Sequence, residues 1–162
     1  MDEPIHIALT FDDGFWAPAY ATMRSVCLAS RKRPQLVFHL LHKGLTAAHR
    51  TKVHAINVEF GAHLADYPLD RNPVFAEITR GFTFRYRFND MVLARLIFDR
   101  LLPKSVKRLV YIDCDVMVRA PIEDLWAADL GDLPLGGVLD PQRHRIMLGR
   151  EFRTKKDLFR YA

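Results

Sequence analysis

Short apolar runs alternate along this chain with stretches in which apolar residues recur every three to four positions. "IHIALTF" (5–11) is a short apolar run with β-branched members and predicts a strand. Trp16, Ala19/Tyr20, Met23, Val26/Cys27 and Ser30 then recur at helical spacing and predict an amphipathic helix to about Arg31. Pro34 breaks the chain, and "QLVFHLLH" (35–42) predicts a second, buried strand. In "LTAAHRTKVHAINVEFG" Thr46 is a candidate N-cap, and Gly61 stands just past a helix end. "AHLADYPL" (62–69) predicts a third strand, whereas Asp70 to Arg87 carries Pro73 and Gly81 among aromatics and reads as a loop or broken helix. Met91, Ala94/Arg95, Phe98 and Leu101/Leu102 form a further helical stripe, stopped by Pro103. "RLVYIDCDVMV" (108–118) is the strongest strand signal in the chain. Pro121 opens a polar turn, and "LPLGGVLD" (133–140) predicts a last strand.

Strand–helix alternation of this kind indicates an α/β sandwich with a mainly parallel central sheet. Such sheets bind ligands beyond the carboxyl ends of their strands. Asp12 and Asp13, Asp113 and Asp115, and Asp140 all fall at predicted strand ends, which makes them candidates for one shared site.

Composition narrows the class. A length of 162 residues suits one domain with a sizeable core, and 49% hydrophobic with 27% charged residues is ordinary for a globular protein. No apolar run approaches the roughly 20 residues needed to span a bilayer. "MDEPIHIALTF" has no basic leader region, so a signal peptide is not expected. Cys27 and Cys114 are too few for a disulfide framework, which favours a reducing cytoplasm. The net charge of +5 is concentrated from Arg143 onward. There Arg143, Arg145, Arg150, Arg153, Lys155, Lys156 and Arg160 face only Glu151 and Asp157. That segment reads as a solvated tail or as a contact for an anionic partner such as a diphosphate, a membrane surface or a glycolipid. No nucleic-acid motif accompanies it.

The acidic pairs carry the chemistry. On a strand, residues two apart share a face, so Asp113 and Asp115 are expected to project together while Cys114 points away. Two charges about 6 Å apart repel by roughly 3 kcal/mol at an effective dielectric near 20. Solvation or a cation relieves that repulsion. After a run read as buried, a bound metal or a basic partner is the favoured expectation. Hard carboxylate oxygens suit Mg²⁺ or Mn²⁺, ions that usually also hold substrate phosphates.

"LTFDDGFW" (9–16) resembles the Thr-Phe-Asp-Asp-Gly stretch of polysaccharide deacetylases, which also need a histidine pair four apart. The candidates here are His39/His42, on opposite faces of a strand, and His49/His54, about 140° apart around a helix. Neither converges on a metal. An aromatic just past a strand end could instead stack on a nucleobase, with a carboxylate accepting a ring N–H. Trp16 starts the helical stripe and belongs to its core face. Phe15 remains open between the two roles. Asp113 and Asp115 also resemble the Asp-x-Asp of haloacid-dehalogenase-type phosphatases, but Met117 departs from that motif and the position is far from a first strand.

Taken together, "FDDGF", "LARLIFDRLLP", "RLVYIDCDVMV" and "PIEDLWAADLGDLPLGGVLD", in that order, resemble the N-terminal portion of glycosyltransferase family 8. The resemblance runs from Ile5 to about Asp140. It implies a GT-A fold, a Rossmann-like nucleotide-binding sandwich, and retaining transfer of a hexose from a UDP-sugar with Mn²⁺ (or Mg²⁺). By position it makes Asp113 and Asp115 metal-binding acids. Asp12 and Phe15 become uracil contacts with Asp13 beside them, Arg95 a basic residue of the donor pocket, and Asp140 an acid near the transferred sugar or acceptor. Gly14 stands where the family often has a polar residue, which implies thinner base and ribose contacts. The family's later His-x-Gly-x-x-Lys-Pro-Trp segment, which supplies a third metal ligand and a diphosphate lysine, does not occur in this sequence.

The expectation is a single GT-A-type domain, a metal-dependent hexosyltransferase using UDP-glucose or UDP-galactose and a glycan or lipopolysaccharide acceptor. It is expected in the cytoplasm, with peripheral membrane contact through the basic segment. A truncated nucleotide-sugar-binding domain with low or no transfer is the first alternative, and a metal-dependent deacetylase the second.

Overall fold

A computed structural model describes residues 3–82 and 90–137. Asp140 and the basic segment from Arg143 lie outside the described residues. The chain divides into two compact units, Met1–Ala127 and Ala128–Ala162.

The first unit is a four-stranded, all-parallel sheet in the order β3-β2-β1-β4. β1 (Ile5–Asp12) and β2 (Leu36–Lys43) pair in full register, from Ile5 opposite Leu36 to Asp12 opposite Lys43. Both strands are almost wholly buried, as continuous apolar runs in a parallel sheet covered on both faces should be. β3 (His63–Pro68) joins the outer edge of β2.

One face of the sheet packs against α1 (Trp16–Ala29) and α2 (Ala47–Phe60), with Ile7, Leu9, Phe11, Met23, Val26, Phe38, Leu40, Val53 and Ile56 at its core. Thr46 caps α2 by accepting from the His49 N–H, and Gly61 ends it in the left-handed region at φ 70°. The other face is covered by α3 (Pro73–Thr79), a 3-10 helix (Asp90–Ile97) and α4 (Phe98–Leu101), packed on Ala8 and Leu41.

Three elements differ from the sequence reading. The segment after Asp70 contains a real helix, because Asn72 accepts from the N–H groups of Val74 and Phe75 and Pro73 occupies a first-turn position that needs no N–H. The stripe beginning at Met91 forms a 3-10 helix rather than an α-helix. Its buried residues, Met91, Ala94 and Ile97, are spaced by three, the period of that helix. "RLVYIDCDVMV" contributes only β4 (Val110–Tyr111), paired with Ile7 and Ala8 of β1. Beyond Ile112, whose N–H still reaches the Ala8 carbonyl, the chain leaves the sheet and binds α1. The Thr22 hydroxyl donates to the Val116 carbonyl, and the Val118 N–H donates to the Ser25 hydroxyl. Pro121 leads into a short helix, α5 (Ile122–Trp126).

In the second unit, residues 128–137 form a turn closed by Leu133 N–H to the Leu130 carbonyl at 3.0 Å, with Gly131 at φ 53°. The last strand expected at 133–140 is therefore not formed over 133–137, and its remainder lies outside the described residues.

Candidate functional site

In the order β3-β2-β1-β4 the chain runs one way from β1 to β3 and then returns to the other side of β1. The connections diverge between β1 and β4, and their carboxyl ends frame the crevice where open α/β sheets bind ligands. Asp12 ends β1, and Asp113 and Asp115 follow β4 by two and four residues.

The two later acids are not on a strand, so the strand period does not set which way they face; a turn at Cys114 and Asp115 carries the chain there instead. Cys114 points inward, its thiol donating to the Thr10 carbonyl at 3.4 Å, while Asp113 and Asp115 are exposed. Burial pushes the Cys114 thiol up to about 11, and the negative charges of Asp115, Asp113 and Asp12 push it the same way. The half-buried Cys114, through its bond to the Thr10 carbonyl, ties the loop after β4 to the end of β1. The side chain of Asp113 is 56% exposed. The cost of burying a charge therefore gives no reason for a cation here, and location and donor chemistry carry that argument instead.

Around Asp113 lies a polar chain of which the sequence reading named Arg95 but not Tyr111 or Thr10. The Tyr111 hydroxyl donates to Asp113 Oδ1 at 2.5 Å and lies 3.5 Å from Thr10 Oγ1. The Arg95 guanidinium sits 4.7 Å from the centre of the Tyr111 ring, with Nη2 3.5 Å from Asp113 Oδ1. Arg95 thus reaches the site from the 3-10 helix. Burial, followed by the hydrogen bond to Asp113, raises the Tyr111 hydroxyl to about 12, so it stays a donor at neutral pH. Lys43, opposite Asp12 in the ladder, donates to Asp90 at 2.5 Å and adds a cation at the same edge. Tyr111 was within reach of sequence reasoning, since it stands one strand period before Asp113. Lys43 gave no sequence signal, because its place depends on the pairing register.

The stretch "FDDGFW" separates into distinct roles. Asp12 lies against Gly14, where an added Cβ would stand 3.2 Å from Asp12 Oδ1. Asp13 faces α2: its Oδ1 accepts from the Thr46 N–H at 2.8 Å and lies 2.9 Å from His49 Nδ1. Those bonds, the Thr46 N–H first, hold the Asp13 carboxyl below the usual carboxylate range. Trp16 is half-buried against the core and stacks on His49 at 4.7 Å between centroids. Phe15, closing a 3-10 turn over Asp13–Phe15, is 46% exposed.

Among the described residues the histidines form no metal triad of the hydrolase kind. His39 lies 2.9 Å from both His6 Nδ1 and the Tyr67 hydroxyl, and His54 lies 2.9 Å from Asp66. Among the described residues no three His, Cys, Asp or Glu side chains converge to hold a metal. The two exposed carboxylates of Asp113 and Asp115 do fit an Mn²⁺ or Mg²⁺ ion of the kind that takes one or two protein carboxylates and completes its shell with water and substrate phosphates.

Fold and residue placement define an α/β protein of the Rossmann type, with Asp12 at the end of β1, Asp113 and Asp115 just beyond β4, and Arg95 beside Asp113. The chain belongs to glycosyl transferase family 8, whose sequence profile matches residues 6–161. The galactosyltransferase LgtC, solved with donor and acceptor sugar analogs, superimposes with a TM-score of 0.74 at 27% identity, over 87% of this chain and 49% of its own. General stress protein A of Bacillus subtilis is 22% identical over 143 residues, which are 88% of this chain and 49% of that protein. Probable galacturonosyltransferase-like 4 of Arabidopsis thaliana is 26% identical over 134 residues, 79% of this chain and 36% of that protein. The chain thus spans half or less of the length of these relatives. Its fold is the GT-A type.

Proposed function

We propose that the protein is a metal-dependent retaining hexosyltransferase that takes glucose or galactose from a UDP-sugar and passes it to a glycan or lipopolysaccharide acceptor. What supports this reading is that Asp12 ends β1 while the exposed Asp113 and Asp115 closely follow β4, the strand paired beside it in the parallel sheet. In the proposal, Asp12 accepts a uracil N–H, Phe15 offers its exposed ring to the base, and Arg95 meets the donor's negative charge. Asp13 stands beside them and ties the β1 end to α2. Asp113 and Asp115 hold Mn²⁺ or Mg²⁺, which when bound supplies charge neutralisation for a departing diphosphate. The sugar leaves through an oxocarbenium-like state, as in glycoside hydrolysis. Asp140, near the transferred sugar or acceptor, is part of the same proposal. So are a cytoplasmic location and peripheral membrane contact through the basic segment. Among the described residues no helix is long and apolar enough to cross a membrane.

Incubation with UDP-glucose or UDP-galactose and Mn²⁺, with release of UDP as the readout, tests the activity. Release of UDP supports the proposal. UDP binding without turnover assigns the chain to nucleotide-sugar binding alone.

A further inference from the structure

We infer that Tyr111 is a positioning residue for Asp113, holding that carboxylate ready for the metal and keeping Arg95 beside it. The inference rests on the reading of Asp113 proposed above. Tyr111 is the last residue of β4 and packs into the second core with Ala8, Phe98 and Leu109. Its ring lies 5.7 Å from the Phe98 ring and carries the Arg95 guanidinium at 4.7 Å, inside cation–π range. A rigid, half-buried ring therefore presents its hydroxyl at the sheet edge. Asp113, by contrast, stands on a turn with most of its side chain in water. The hydroxyl holds Oδ1 of that exposed carboxylate at 2.5 Å, and the same oxygen lies 3.5 Å from Arg95 Nη2.

Groups that orient a metal's ligands without touching the metal are typically worth 10–100-fold in affinity. Tyr111 also links β4 to β1, because Thr10, two residues before Asp12, lies 3.5 Å from its hydroxyl. Removing that hydroxyl should loosen Asp113 while leaving the ring, its Arg95 contact and the second core in place.

The test is a Mn²⁺ titration in the presence of UDP, followed by the electron paramagnetic resonance signal of the free ion. It compares the wild-type protein with Tyr111→Phe, Asp113→Asn and the double variant. Tyr111→Phe is expected to weaken Mn²⁺ binding about tenfold or more while leaving the thermal unfolding midpoint near that of wild type. In the Asp113→Asn background it is expected to add no further loss, the signature of two residues acting as one unit. Equal Mn²⁺ affinity in wild type and Tyr111→Phe overturns the inference and leaves the proposed function standing. The same tenfold loss when Asp113 is already Asn also overturns it. A wild-type protein that takes up no Mn²⁺ overturns the metal reading, and this inference with it.

Discussion

Two adjacent aromatics and two adjacent acids in "FDDGFW" are chemically near-identical in the sequence and different in the fold. Trp16 opens α1 and rests on the core, while Phe15 keeps 46% of its surface exposed beside the β1 end. An aromatic face stacked on a base contributes about 1–3 kcal/mol. Phe15→Ala is therefore expected to weaken UDP binding by roughly tenfold, measured by calorimetry, with little change in stability because no core contact is lost. An unchanged affinity would remove Phe15 from the site. The acids divide in the same way. Asp13 is committed to the first turn of α2, whereas Asp12 ends a strand at the crevice. Strand-end position was legible in the sequence, but the choice between α2 and the crevice was not, since it depends on a helix start more than thirty residues away.

The elements legible in the sequence were those whose local chemistry and burial agree. The β1 and β2 runs, the Thr46 cap and the Gly61 stop each combine an apolar pattern with a terminating residue, and each forms close to its expected bounds. Gly61 is in the left-handed region, so Gly61→Ala is expected to lower stability by about 1 kcal/mol in urea unfolding. No shift of the midpoint would show that the α2 end tolerates strain. What misled was apolar content without tertiary context. "RLVYIDCDVMV" is rich enough in β-branched residues for a long strand. Only Val110 and Tyr111 join the ladder, because hydrogen bonds from Thr22 and to Ser25 draw the following residues over α1. The site benefits from that departure, since the turn it creates exposes Asp113 and Asp115.

Across the whole molecule, buried polar groups link the strands and make stability depend on pH. His6 on β1, His39 on β2 and Tyr67 on β3 form one hydrogen-bonded row, with His39 only 3% exposed. Burial, with a smaller contribution from His6, lowers the pKa of His39 from 6.5 to about 4. Between those values the unfolded chain binds a proton that the folded chain refuses. Stability is therefore full above about pH 6.5 and falls as pH drops towards 4, by at most about 3.5 kcal/mol at ~1.4 kcal/mol per pKa unit. Urea midpoints measured from pH 7 to pH 4.5 should fall in wild type and fall less steeply in His39→Gln, the remaining slope coming in part from His6 and His42, whose pKa values burial also lowers; parallel slopes would assign the acid sensitivity elsewhere. The sheet that this row stitches together also sets the ends of β1 and β4 side by side, and the proposed donor site depends on that juxtaposition. Calorimetric titration of UDP into the wild-type protein and Asp115→Ala, with and without Mn²⁺, tests it most directly. UDP binding is expected to strengthen with Mn²⁺ and to become insensitive to the metal in Asp115→Ala. An absence of UDP affinity, or an Mn²⁺ effect untouched by Asp115→Ala, would overturn the transferase proposal.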